Sequence, residues 1–161
     1  MEYTVEKIEE LITEEKEIIS ITRKEFKEVG QHLRNDFELV SFDKKRSFHV
    51  FLRKHIDYLE NFSIGLVYLP VDRASIHLIR FNGNHGETVE NVLMPHAHRD
   101  FHIHKITPEL IEEEINDPKK VSITEKYASY EQAFRYFCKY TNIVNASKYF
   151  PEIDQPNLFE D

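Results

Sequence analysis

Four histidines fall within the nine residues His96-Ala97-His98-Arg99-Asp100-Phe101-His102-Ile103-His104. An extended backbone sends successive side chains to opposite faces. His96, His98, Asp100, His102 and His104 then share one face, and Ala97, Arg99, Phe101 and Ile103 share the other. Residues two apart on a face lie roughly 6–7 Å from one another, so two imidazoles can meet one ion or one phosphate. Imidazole titrates near an unperturbed pKa of about 6.5, which suits it to act as acid and as base near neutral pH. Its neutral nitrogens also bind transition metals at about 2.0–2.1 Å. On a solvated strand the same four histidines are ordinary surface residues.

Three motifs can be set against this segment. A cupin-type metal site needs a suitably spaced Glu after its His-x-His, and His98 is followed by Arg99, Asp100 and Phe101. Two-histidine phosphoesterases need two His-x-Thr or His-x-Ser units, and His104-Lys105-Ile106 is not one. Arg99 and His104 have the spacing of the Arg-x4-His of helical HEPN ribonucleases. That motif sits on a helix, whereas this segment lies between Pro95 and Pro108 in β-like sequence.

The elements that must position these residues read as follows. Val5, Ile8, Leu11, Ile12, Ile18 and Ile19 fall mostly on one face of an N-terminal helix opened near Thr4. Gly30 marks a break. From Leu33 the period changes to two, through Phe37 and Leu39, followed by a polar turn at Asp43 to Arg46 and a strand from Ser47 to Ile56. Phe62 to Leu69 and Ser75 to Phe81 read as strands joined by a hairpin connection at Pro70 to Arg73. Asn82-Gly83-Asn84-His85-Gly86 is a loop. Pro108 to Asn116 reads as a short acidic helix, and Tyr130 to Tyr140 as a clear one with Ala133, Phe134, Phe137 and Cys138 at core spacing. The expected fold is α+β: an antiparallel meander of about five strands, an N-terminal helix and one or two C-terminal helices. Residues 1–161 read as one domain, with 150–161 an irregular tail packed through Phe150 and Leu158.

Composition bounds the function. The 161 residues match the usual size of one domain. A hydrophobic content of 40%, with twelve Phe and eight Tyr, supplies a core and argues against disorder. No run reaches the ~18 apolar residues of a membrane span. Met1 to Glu17 is acidic, the reverse of a basic-then-apolar signal peptide. The lone cysteine, Cys138, fits a reducing compartment and reads as a small buried residue. A cytoplasmic location is expected. The net charge of −8 argues against a purely electrostatic grip on nucleic acid. Residues 29–56 nonetheless carry six basic and three acidic side chains. There Lys44, Lys45, Arg46, Arg53 and Lys54 are interleaved with Phe48, His49, Phe51 and His55.

Arg80-Phe81-Asn82-Gly83-Asn84-His85, a short insertion, then Pro95-His96-Ala97-His98 resembles the signature of TumE-like proteins and their bacterial relatives. Those show an arginine on a strand, an Asp or Asn turn, a following histidine and a His-x-His strand. The order of elements across residues 5–145 is also similar. Asn82 stands where the TumE-like turn often has Asp, and the His102/His104 pair is additional. TumE-like proteins are toxins of bacterial toxin–antitoxin pairs, so the resemblance implies an RNA-directed activity and a protein antitoxin.

Three functional classes stay open. The first is a metal-independent endoribonuclease with His96 and His98 as acid and base, Arg80 on the phosphate, and His85 assisting. Lys44, Lys45, Arg46, Arg53 and Lys54 would position the RNA, and no cofactor is needed. The second is a divalent transition-metal site, for zinc or a similar ion, built from His96, His98 and His102 (or Asp100). The third is a binding or accessory protein without catalysis, to which the acidic first helix and the acidic C-terminal region point. His49 and His77, alone within strands, read as structural.

Overall fold

The computed structural model describes residues 1–21, 25–84, 101–116 and 118–154. Thr4 starts the first helix, α1 (Val5–Thr13), by accepting the Lys7 N–H on its side-chain oxygen at 3.0 Å. Ile8, Leu11 and Ile12 are buried from it. The helix does not continue through Ile18 and Ile19, as the apolar spacing suggested. The chain turns at Glu14 and Glu15 into strand β1 (Lys16–Ile21), where Ile18 is 3% exposed and Ile19 is 58% exposed. That alternation is a strand's. β-Branched isoleucines lose little by extending, so local preference agrees with it.

The remaining strands are β2 (Lys27–Val29), β3 (His32–Ser41), β4 (Ser47–His55), β5 (Phe62–Leu69), β6 (Ile76–Asn82), β7 (His102–Lys105) and β8 (Lys120–Ile123). They form one eight-stranded sheet in the order β1-β3-β4-β5-β6-β7-β8, with β2 also paired to β3. Every strand pair is antiparallel. The α+β class and the antiparallel sheet are as expected. Among the described residues the strand count is eight rather than about five, because β1, β2 and β8 were not anticipated. The hairpin connection between β5 and β6 falls at Pro70 to Arg73. A bulge at Leu78 then shifts the register, so that Leu78 and Ile79 are both buried.

One sheet face is apolar. Phe37, Leu39, Phe48, Val50, Leu52, Phe62, Ile64, Leu66 and Phe81 are all at most 1% exposed. Against them packs helix α3 (Tyr130–Tyr140), capped by the Ser129 hydroxyl, which accepts from Gln132 N at 3.1 Å. Its Phe134 and Phe137 rings meet Phe37 and Phe81 at centroid distances of 6.4 and 5.3 Å. Cys138 is buried here, and burial pushes its thiol well above the ordinary range. A short helix α2 (Pro108–Glu112) follows β7. Helix α4 (Ala146–Tyr149) and a 3-10 turn, Pro151–Asp154, end the described chain. Phe150 is buried against Phe37 and Phe134, as expected for the tail, while Leu158 lies outside the described residues. Among the described residues no helix is long and apolar enough to cross a membrane.

Candidate functional site

The second sheet face is polar, and the strand register places its side chains in lines across the sheet. Asp36, Phe51, Gly65, Arg80, His104 and Val121 are direct neighbours, one from each of six adjacent strands. The next line holds Arg34, Arg53, Ser63, Asn82, His102 and Ile123. Arg80 and His104 are therefore opposite one another, as are Asn82 and His102. Side chains so paired start about 5 Å apart and interact.

Asn82 organises this cluster. It is 2% exposed, its carbonyl oxygen accepts from Arg80 Nε at 3.0 Å, and its amide donates to Ser63 Oγ at 2.7 Å. The arginine fork is thus oriented by a buried amide that is itself fixed from a third strand. His102 and His104 are 0% and 6% exposed, with ring centroids 4.9 Å apart. His104 Nδ1 lies 3.1 Å from the Pro118 carbonyl. A carbonyl only accepts, so in this contact Nδ1 carries a proton. These two histidines are buried on the sheet rather than solvated. The Tyr127 hydroxyl sits 2.9 Å from the carbonyls of both Asn82 and His102, clamping β6 to β7 at the cluster. Burial holds that phenol far above its ordinary pKa, so it remains a neutral donor.

Farther along the face His49 stands between two carboxylates, with Nδ1 2.5 Å from Glu38 Oε1 and Nε2 3.4 Å from Asp36 Oδ1. Arg53 Nη1 reaches Asp36 Oδ1 at 2.9 Å and the Leu52 carbonyl at 2.8 Å. The His77 ring lies 5.9 Å from that of Phe51.

The structure brings Arg80 together with His102 and His104. His85, His96 and His98 lie outside the described residues, as does Asp100. The five cations expected to position RNA do not gather on one surface. Arg53 is on the polar face. Lys54 points to the opposite side, its ammonium 4.3 and 4.2 Å from the ring centroids of Phe26 and Tyr130, and burial lowers its pKa. Lys44 pairs with Glu17. Arg46 grips Glu14 with two bonds, Nε to Oε2 at 2.8 Å and Nη2 to Oε1 at 2.9 Å, and this contact raises its pKa. Lys45 shares their turn, where its backbone N–H donates to Asp43. That turn lies about six residues along β4 from Phe51, roughly 20 Å from the line holding Arg80. Among the described residues no three His, Cys, Asp or Glu side chains are placed to hold a metal ion.

No protein-family model matches the chain, and neither does any curated protein or any solved structure.

Ser63 and Tyr127 belong to no motif in the sequence, and Asn82 reads there as a turn residue. Ser63 meets Asn82 through cross-strand register and Tyr127 reaches the strands from outside the sheet, and neither relation is visible along the chain. On the helix face Lys105 Nζ bonds Glu9 Oε2 at 2.9 Å and Tyr140 OH at 3.1 Å, beside a cavity of about 220 Å³ lined by Phe81, Ile103, Tyr136 and Tyr140. Burial opposes the Lys105 charge, but the bonds to Glu9 and Tyr140 outweigh it and raise its pKa.

Proposed function

We propose that this chain is a metal-independent endoribonuclease of toxin type, held in check by a protein antitoxin. The observation that carries the reading is Arg80, oriented by buried Asn82 and set beside His102 and His104 on one sheet face. Cleavage of RNA without metal needs a base for the 2′-OH proton, an acid for the 5′-oxygen that leaves, and a cation on the phosphate. Arginine suits the last role through its fixed, bidentate fork. His98 and His96 are assigned as base and acid, with His85 assisting. The assignment of these histidines rests on their places in the sequence, where His85 follows Asn82 by three residues and His98 precedes His102 by four.

The test is cleavage of a single-stranded RNA by protein purified without a histidine tag, in excess chelator. Positioned acid–base catalysis contributes about 10²–10⁴-fold. Alanine at both His96 and His98 is expected to lower the rate by that amount, and Arg80→Ala to lower it with the chelator still without effect. Unchanged cleavage by the double variant removes the assignment. Activity abolished by chelator and restored by zinc replaces it with a metal site.

A further inference from the structure

We propose that the Phe51 ring is a stacking platform for a nucleobase of single-stranded RNA, which places the adjoining phosphate at Arg80. The proposal deepens the ribonuclease reading and rests on it for the substrate.

Phe51 is an aromatic side chain on an otherwise polar stretch of sheet, half-buried between Asp36 and Gly65. The ring is not folded into the core on the other face. It lies down across Gly65, where a Cβ would collide with the far end of the ring, atoms Cζ, Cε1 and Cε2. Glycine inside a central strand weakens it and often marks close approach of another group. Here the missing side chain lets the ring rest on the backbone of β5. The result is an aromatic surface supported from beneath.

The surroundings suit a nucleotide. The Arg53 guanidinium carbon is 5.3 Å from the ring centroid, and its position is fixed by Asp36 and the Leu52 carbonyl. On the other side of Gly65, in the same cross-strand line, stands Arg80. The ring therefore has the Arg53 guanidinium beside it, and Arg80 stands two strands away in the same line. Phe51 and Arg80 are two strand spacings apart, roughly 10 Å, a separation that one nucleotide can bridge. The carboxylates of Asp36 and Glu38 lie on the far side of Phe51, tied to Arg53 and His49, so the phosphate path runs away from them toward Arg80. Single-stranded RNA is recognised by this combination of unstacked bases on aromatic rings and cations along the backbone.

The experiment uses a short 2′-O-methyl RNA, which cannot be cleaved through its 2′-oxygen, with the whole protein. Loss of one base–aromatic stack weakens binding about 5- to 150-fold. Phe51→Leu keeps an apolar side chain of similar reach and is expected to show that loss by fluorescence anisotropy, while Phe51→Trp retains wild-type affinity. The chain contains no tryptophan, so Trp in Phe51→Trp is the sole indole and is expected to be quenched as RNA is added. On cleavable RNA, Phe51→Leu should raise KM with little change in kcat. Equal binding by wild type and Phe51→Leu, or no quenching in Phe51→Trp, overturns the platform. The two failures are separable. Phe51-dependent binding with no cleavage of ordinary RNA sinks the ribonuclease reading alone, whereas cleavage indifferent to residue 51 sinks the platform alone.

Discussion

Lys16, the first residue of β1, lies where the ends of α1 and α3 meet. Its side chain is 0% exposed, and its ammonium donates to the carbonyls of Ile12, Glu14 and Thr141 at 2.7, 2.8 and 3.0 Å. The carbonyls at the end of α1 and just past α3 converge on one cation, which also sits 4.9 Å from the Phe48 ring centroid. Burial lowers its pKa to about 7, against the pull of Glu14. The unfolded value is about 10.4. Between those two values the unfolded chain binds more protons than the folded one, so stability rises with pH across that window, and the cost of burying the charge is fully present below it. The midpoint of urea unfolding is therefore expected to increase from pH 6.5 to pH 9.5, and Lys16→Met to flatten this difference. An unchanged slope in Lys16→Met would show that the three carbonyls hold the ammonium as firmly as burial opposes it. Nothing in the sequence marks this lysine, since it stands in a Glu- and Lys-rich stretch that reads as solvated. Arg80 was named in sequence through its resemblance motif alone, and its place opposite His104 comes from strand register. The part of Asn82 in orienting Arg80 was not legible, because a turn residue and a buried amide are written with the same letter.

At the scale of elements, periodicity was legible where a segment is long. Tyr130 to Tyr140 is a helix over the expected span, and β7 alternates as the histidine spacing implied. It failed where two periods coexist. Ile12, Ile18 and Ile19 suit a helix face by spacing, but the β-branched run from Ile18 pairs with β3 instead. Strand β8 was missed because four residues with only Val121 and Ile123 apolar carry almost no pattern. The candidate site depends on how β6 and β7 are joined, and Tyr127 adds a clamp to their backbone pairing. Its buried hydroxyl serves two carbonyls, and Tyr127→Phe leaves both acceptors without it. Lost buried hydrogen bonds of this sort cost about 1–3 kcal/mol, which corresponds to a fall in Tm of about 3–10 °C at this chain length. Thermal unfolding followed by circular dichroism checks this, and a Tm within a degree of wild type would mean that the clamp contributes nothing.

Across the whole molecule, the two faces of one sheet differ: one is an apolar core face and the other carries arginine and histidine side chains. The apolar face, with α1 and α3, takes most of the Phe and Tyr side chains. The polar face carries Arg53, Phe51, Arg80, His102 and His104 in adjacent register lines. Glu9 of α1 pairs with Lys105, and Glu14 just past the helix pairs with Arg46, so these two carboxylates are paired away from the polar face. The chemistry of the face was visible in sequence as a cluster of residue types, but its geometry was not, since it arises from strands up to about seventy residues apart in the chain. The proposed ribonuclease activity requires that Arg80 and the histidines assigned as acid and base promote attack of a 2′-oxygen on the adjoining phosphorus. That step forms a bond from the 2′-oxygen to phosphorus and breaks the bond to the 5′-oxygen, which leaves with a proton. The most direct measurement is mass analysis of the ends produced from one RNA and from the same RNA carrying a single 2′-deoxy substitution at the cleaved position. Fragments ending in 2′,3′-cyclic phosphate and 5′-hydroxyl, with cleavage lost at the deoxy position, are predicted. Cleavage at the deoxy position at an undiminished rate, or 5′-phosphate ends, would contradict the account.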